Sequence, residues 1–335
     1  MNPGEAGLAA VYHGAGDVRI GEVPVRAPGP GQVQLRVAYC GICGSDRHEF
    51  ADGPHAIPVT PHPESGVMLP LVLGHEFCGT VTAVGAGVRG LAEGDRLAVE
   101  PHYRCGRCDR CRAGEYNICA HFGFAGLMGH GGLAEYATIP AYMAHVLPGD
   151  VSFEQAAVFE PASVALHALR RSGARRGESI AVVGLGPIGL LVVLLARQLG
   201  IDRIHGVDPD AGRRELAVEL GATSTGADVP EVDVAFEVVG VQSTLDTCLA
   251  AVRAGGHVVL VGLGGRLDFD AFALVNREQS IIATVGYRDT FPELIRLAAD
   301  GVDFSRIVTS TVALDEVVER GLRAGAGEVK VVVRP

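Results

Sequence analysis

Residues 179–189 read SIAVVGLGPIG, and the apolar run continues as LLVVLLA to Ala196. The seventeen residues from Ile180 to Ala196 approach the length of a short membrane span. Gly184, Gly186, Pro187 and Gly189 instead divide them into a strand, a turn and a helix that begins around Pro187 and Ile188. The three glycines have GxGxxG spacing, which permits the tight turn and lets a pyrophosphate approach the unpaired amides of a helix N-terminus. Asp208 ends the next strand 19 residues after Gly189. A carboxylate there accepts adenosine ribose hydroxyls and meets a 2′-phosphate with like charge. The stretch therefore predicts a dinucleotide site that favours NAD over NADP, with a purely structural glycine turn as the competing reading. Arg213, counted with the cofactor residues, and Arg214 blur that preference, and both also fit an exposed face of the following helix.

Working outward, PASVALHALRRSG precedes the turn with helical periodicity. After it come strand RIHGVD, helix GRRELAVELG, strand DVAFEVVG, helix STLDTCLAAVRAG, strand HVVLVG, helix AFALVNRE and strand SIIATVG. This alternation predicts an α/β unit over residues 161–290, a doubly wound parallel sheet covered on both faces. Only TGADVPE separates GATS from VDVAFEVVG, so the third strand and its crossover must be shortened or missing. Residues 1–160 read differently: QVQLRVAYC, LVLGHEFCGTVTAVG, DRLAVEP and LAEYATIP are short strands punctuated by Gly and Pro, with little helical periodicity. The tail, 291–335, adds helix FPELIRLAADG, strand RIVTSTVA, helix LDEVVERGLRAG and strand EVKVVVRP.

Composition narrows the function. In 335 residues, 28 Lys plus Arg face 39 Asp plus Glu, a formal charge of −11 that opposes binding to nucleic acid. Hydrophobic residues make up 48%, enough for a folded core. The opening MNPGEAGLAAVYHG lacks a basic flank and an apolar signal segment, so a cytoplasmic location and no membrane attachment are the expectation.

Four of the eight cysteines, Cys105, Cys108, Cys111 and Cys119, lie within CGRCDRCRAGEYNIC. Four thiolates at such intervals can close a tetrahedral zinc shell, and the polar residues between them are wrong for a buried core. An iron–sulfur cluster and inert or redox thiols are the alternatives. With no open position, such a site is structural. Cys43 in GICGSDRH, His75 in LGHE and Glu160 in FEP supply one sulfur, one imidazole and one carboxylate, a donor set for catalytic zinc with a vacant position. Their spacing fits equally a buried cysteine, a core histidine and a helix-capping glutamate.

Taken together, GICGSDRH, GHEFCGTV, the four-cysteine lobe, GGLAEYATIP, FEPASVALHA and VVGLGPIG resemble the zinc-dependent medium-chain dehydrogenase/reductase family over essentially the whole chain. The long segment DGPHAIPVTPHPESGVMLPLVLGHE and GYRDTFPELI are most similar to the butanediol and sorbitol dehydrogenase branch. The resemblance implies a Rossmann sheet plus a mostly β, GroES-like catalytic domain with a structural zinc lobe, the tail returning to the catalytic domain. It implies two zinc ions per chain: Cys43, His75 and Glu160 hold the catalytic one, with Glu76 a nearby or alternative carboxylate, and the four-cysteine set holds the structural one. Ser45 matches the family's hydroxyl proton relay and His48 its outward histidine, while Cys40, Cys78 and Cys248 match no ligand position and read as small buried hydrophobes. The activity implied is reversible NAD-dependent oxidation of a small alcohol to a ketone. A vicinal diol such as 2,3-butanediol, giving acetoin, leads; sorbitol or threonine oxidation, a specialised ketone reductase and a silent dinucleotide-binding zinc protein are the alternatives. SIIATVG resembles the edge strand that relatives pair across a subunit interface, implying a homodimer or homotetramer.

Overall fold

The computed structural model describes residues 6–325 and 327–335. It divides into one unit comprising 1–160 with 291–335, and a second comprising 161–290; the first five residues, part of the stretch read for a leader, lie outside the description.

The second unit is built on six parallel strands in the order Ser224–Thr225, Arg203–Val207, Ser179–Val183, Val232–Glu237, Val252–Leu260, Ser280–Ala283. Strand order reverses beside Ser179–Val183, which places the glycine turn at the point where such sheets take ligands. The helix Pro187–Gln198 starts with proline in its first turn, and every residue from Gly189 to Ala196 is buried. An all-apolar helix of this kind is stable only inside a layered core, each fully buried aliphatic side chain contributing about 1.5–3 kcal/mol. Gly189 permits the closeness: a Cβ there would lie 1.9 Å from the carbonyl oxygen of Gly184, itself at φ +101.

The short connection after Gly221 has the expected consequence. The third strand survives as two residues, Ser224–Thr225, paired to His205–Gly206, and no helix lies between Thr225 and Val232 among the described residues. The following helix is shorter than STLDTCLAAVRAG suggests. It runs Gln242–Ala251, because Val252 turns into the strand and pairs with Val232. No helix among the described residues is long and apolar enough to cross a membrane.

The first unit centres on a seven-stranded sheet in which Gln32–Gly41 pairs with Glu76–Val84, Tyr136–Pro140 and Lys330–Arg334. The tail thereby enters this sheet: Val308–Ala313 runs parallel to Lys330–Arg334. The helix Phe291–Ala299 places Phe291 against His145 and Phe159, with ring centroids 4.9 and 6.4 Å apart. The segment LDEVVERGLRAG is helical without being α: a 3-10 turn, Leu314–Glu316, runs into a π-helical stretch, Val317–Leu322. A helix that the apolar pattern does not announce, Gly44–Asp52, follows Cys43.

Candidate active site and metal centres

Cys43 sits at the junction between the strand Gln32–Gly41 and the helix Gly44–Asp52, as that helix's N-cap. Asp46, in its first turn, accepts the Cys43 backbone N–H at 2.9 Å through Oδ2 and stands 3.5 Å from His75 Nδ1 through Oδ1. A carboxylate on one imidazole nitrogen fixes the ring and leaves the other for a ligand. His75 Nε2 lies 3.5 Å from Ser45 Oγ. His48 is exposed on the same helix.

The ligand atoms of Cys43, His75 and Glu76 all lie within 4.8 Å of one another. Glu160 does not stand in this group. It is buried in the first turn of the helix Phe159–Ser172, whereas Glu76 follows His75 directly at the head of the strand Glu76–Val84. Glu76 is engaged on its other side: Lys330 Nζ donates to Oε1 at 2.7 Å, to Oε2 at 2.5 Å and to the Ile42 carbonyl at 3.0 Å. Burial opposes the charge on this lysine, but Glu76, Cys43 and Glu160 outweigh it and raise its pKa above the usual value. Burial likewise opposes a charged His75, yet Asp46 and Cys43 raise its pKa well above the ordinary imidazole value. A thiol, the buried carboxylates of Asp46 and Glu76 and an imidazole converge here against one ammonium, and that excess of negative donors suits a divalent cation.

Cys105, Cys108, Cys111 and Cys119 form a second group whose sulfurs lie within 4.8 Å of one another. Backbone amides point at the sulfurs: Cys105 N–H donates to Cys119 Sγ at 3.3 Å, and the Cys108 and Cys111 amides donate to Cys105 and Cys108 at 3.4 Å. The Ala120 and Cys111 amides pull the Cys108 thiol down to about 6, favouring the thiolate a metal needs. Four sulfurs with no open position fit structural zinc. Cys40, Cys78 and Cys248 are buried as singletons outside both groups.

At the glycine turn, Gly186 caps the helix and Pro187 and Ile188 form its half-buried first turn. Asp208 accepts Leu185 N–H at 2.8 Å and Asp210 N–H at 2.9 Å, so the carboxylate at the second strand's end also braces the turn. Arg213 reaches within 3.9 Å of Asp208, and Arg214 donates to the carbonyls of Asp208 and Pro209. Neither arginine lies on an exposed face; both are half-buried.

Three side chains escaped the sequence reading. Asp46 stands against His75, and Lys330 donates to both oxygens of Glu76. Glu237, fully buried at the end of its strand, gathers the amides of Val239 and Gly240 and the Thr244 hydroxyl at 2.6–3.0 Å. Only Lys330 carried a usable signal, being the sole lysine in the chain.

Residues 29–149 match the family described as alcohol dehydrogenase GroES-like domain, and residues 187–300 match zinc-binding dehydrogenase. The chain belongs to the zinc-dependent medium-chain dehydrogenases. This dehydrogenase is 37% identical over 347 residues to a (R,R)-butanediol dehydrogenase of Bacillus subtilis, covering 98% of this chain and 99% of that one. It is 33% identical to a sorbitol dehydrogenase of the same organism, covering 98% and 97%. The crystal structure of 2R,3R-butanediol dehydrogenase from Bacillus subtilis superimposes with a TM-score of 0.92 at 35% identity, covering 98% and 99%. The dehydrogenase is thus a zinc alcohol or polyol oxidoreductase, built from a GroES-like unit and a Rossmann unit.

Proposed function

We propose that this dehydrogenase transfers hydride reversibly between a vicinal diol such as 2,3-butanediol and NAD, giving an α-hydroxy ketone such as acetoin. The observation that carries the reading is the convergence of Cys43, His75 and Glu76 beside Ser45; the butanediol dehydrogenase similarity along the full chain supports the substrate class. The chemistry that bound zinc and NAD supply is polarisation of the substrate oxygen and acceptance of a hydride.

The chain's residues do the rest. Cys43 and His75 hold the metal, and Glu76 or Glu160 completes the set. Asp46 keeps the imidazole oriented. Ser45 takes the hydroxyl proton and passes it toward His48 and water, as a positioned hydroxyl does in general acid–base catalysis. Cys105, Cys108, Cys111 and Cys119 hold a second zinc. Gly184, Gly186 and Gly189 admit the pyrophosphate, and Asp208 selects the unphosphorylated ribose.

The long segment after the Cys43 helix is held by Glu49, whose carboxylate accepts the His55 and Ala56 amides at 2.9 and 2.5 Å. A fixed loop there suits a short diol; the sorbitol dehydrogenase similarity keeps a polyol as the second reading. Among the described residues the strand Ser280–Ala283 is an edge of its sheet, and Leu263, Phe272 and Val275, in the chain segment before it, are 73–80% exposed. An open edge and bare apolar side chains in the same unit support a homodimer or homotetramer.

The test is initial NADH formation by zinc-loaded enzyme across the separate 2,3-butanediol stereoisomers, with sorbitol and threonine as controls. A strong, stereoselective diol rate supports the reading. A higher kcat/KM for sorbitol moves it to polyols, and no rate with any of them removes it.

A further inference from the structure

The seven-stranded sheet of the first unit turns Val81, Leu97 and Val333 into the core. Its other face carries an open cavity of about 390 Å³, lined by Arg36, Tyr39, Thr80, Phe153, Arg334 and Pro335 among others. Strand register explains how these side chains meet. Arg36 pairs with Thr80 and Tyr39 pairs with Cys78, so the strand Gln32–Gly41 carries one extra residue between them. Such a bulge re-aims the side chains that follow it. Cys78 and Thr80 are two residues apart and share a face; Tyr39, three residues after Arg36, is thereby brought to the Arg36 side. Val333 pairs with Cys40, which sets Arg334 beside Tyr39 on that same face. Arg96, paired with Thr80, extends the row. Its guanidinium lies 4.4 Å from the Phe153 ring centroid and donates to the carbonyls of Pro148, Gly149 and Val151.

The face is cationic in a chain whose formal charge is −11. Several exposed arginines of this unit are neutralised locally, Arg19 by Asp17, Arg110 by Glu115 and Arg320 by Glu316. Among the described residues neither Arg36 nor Arg334 has a carboxylate partner; Arg36 faces only the Tyr136 ring, 5.9 Å from its centroid. Even counting the terminal carboxylate of Pro335, two guanidiniums leave the cavity wall with a net positive charge. Guanidinium forks match phosphate oxygens in geometry and charge, and the hydroxyls of Thr80 and Tyr39 add neutral donors. A water molecule takes about 30 Å³ of liquid volume, so the cavity holds a phosphate with room for a small organic body against Phe153.

We propose that this face of the GroES-like unit binds a phosphate group, free or as a small monoester, between Arg36 and Arg334. The site is separate from the reaction proposed above: none of the residues assigned to metal, cofactor or proton transfer lines the cavity.

The test is isothermal titration of zinc-loaded, NAD-saturated enzyme with inorganic phosphate and with phenyl phosphate at low ionic strength. Saturating NAD keeps both probes out of the glycine turn. Both are expected to bind; tighter binding of phenyl phosphate identifies a monoester as the ligand, and equal binding identifies free phosphate. Arg36→Gln and Arg334→Gln are each expected to weaken binding at least tenfold while leaving turnover without phosphate unchanged. Arg89→Gln, which removes the same charge from an exposed position outside the cavity, should stay within twofold of wild type. A second measurement needs no variant. In wild type, phosphate is expected to protect Arg36 and Arg334, but not Arg89, from phenylglyoxal, read by peptide mass spectrometry. Absence of binding at millimolar phosphate, affinity unchanged in both cavity variants, equal weakening in Arg89→Gln, or protection spread evenly over the arginines overturns the inference.

Discussion

Substituting Gly189 by alanine tests the cofactor turn at its tightest point. The added Cβ would stand 1.9 Å from the Gly184 oxygen, 3.0 Å from the Gly184 carbonyl carbon and 3.3 Å from Val182 Cγ1. A carbon and an oxygen in close contact sit about 3.3 Å apart, so the turn and the helix must separate by roughly 1.4 Å. Neither side is soft: the obstacle is backbone, and the helix is buried from Gly189 to Ala196. Overpacking of this kind costs about 1–3 kcal/mol. The same displacement draws the helix N-terminal amides away from the pyrophosphate, and a loss of about 1.4 kcal/mol in binding is tenfold in affinity. Gly189→Ala is therefore expected to lower unfolding free energy in urea by about 1–3 kcal/mol and to raise the NADH dissociation constant at least tenfold in a fluorescence titration. Gly186→Ala is the control, because a Cβ there meets nothing within 4 Å. It should keep stability within about 0.5 kcal/mol and weaken NADH binding only through direct obstruction. NADH affinity within twofold of wild type in Gly189→Ala, with unchanged stability, would refute the reasoning.

Other substitutions probe separate parts of the account. Ser45→Ala should retain two zinc ions and lower turnover by about 10²–10⁴ where chemistry limits the rate; unchanged turnover there removes Ser45 from the proton path. Asp208→Ser should shift the ratio of catalytic efficiencies toward NADP by on the order of tenfold, while weakening NAD because the brace on Leu185 is lost; an unaltered ratio would count against the ribose role. Glu100 accepts Tyr116 Oη at 2.7 Å and His145 Nε2 at 2.8 Å. Burial pushes its carboxyl up, but His145 and Tyr116 outweigh burial and lower it below 4.5. Its contribution is thus complete above the unfolded carboxylate value and disappears as pH falls through the lower folded value. Glu100→Gln should cost about 1.5–3 kcal/mol near neutrality and flatten the acid limb of Tm against pH; a limb as steep as wild type would contradict this.

The cofactor unit was legible because its signals are local. Apolar strands, the glycine turn and helical periodicity each declare themselves within a dozen residues, and the short TGADVPE connection announced a clipped third strand. Boundaries set by pairing were not legible: nothing around Ala251 shows that Val252 must leave the helix to pair with Val232. The helix Gly44–Asp52 went unread because it is polar, with Phe50 its single buried apolar side chain. The candidate metal site is readable in its residue types and unreadable in its ranking. Glu76 and Glu160 are both acidic residues in suggestive motifs, and what distinguishes them is tertiary: His75 brings Glu76 to the cluster, and a lysine 254 residues away holds it there. Asp46 was hidden likewise, since only the folded chain brings it within 3.5 Å of His75.

The central claim is that Cys43 holds a catalytic zinc distinct from the zinc of the four-cysteine lobe. The direct measurement is zinc content by elemental analysis together with NADH formation from (R,R)-2,3-butanediol, for wild type and Cys43→Ser. Wild type is expected to carry two zinc ions and turn over; Cys43→Ser should carry one, remain folded and lose nearly all turnover. A Cys43→Ser enzyme that keeps both ions, or that turns over normally with one, would contradict the account.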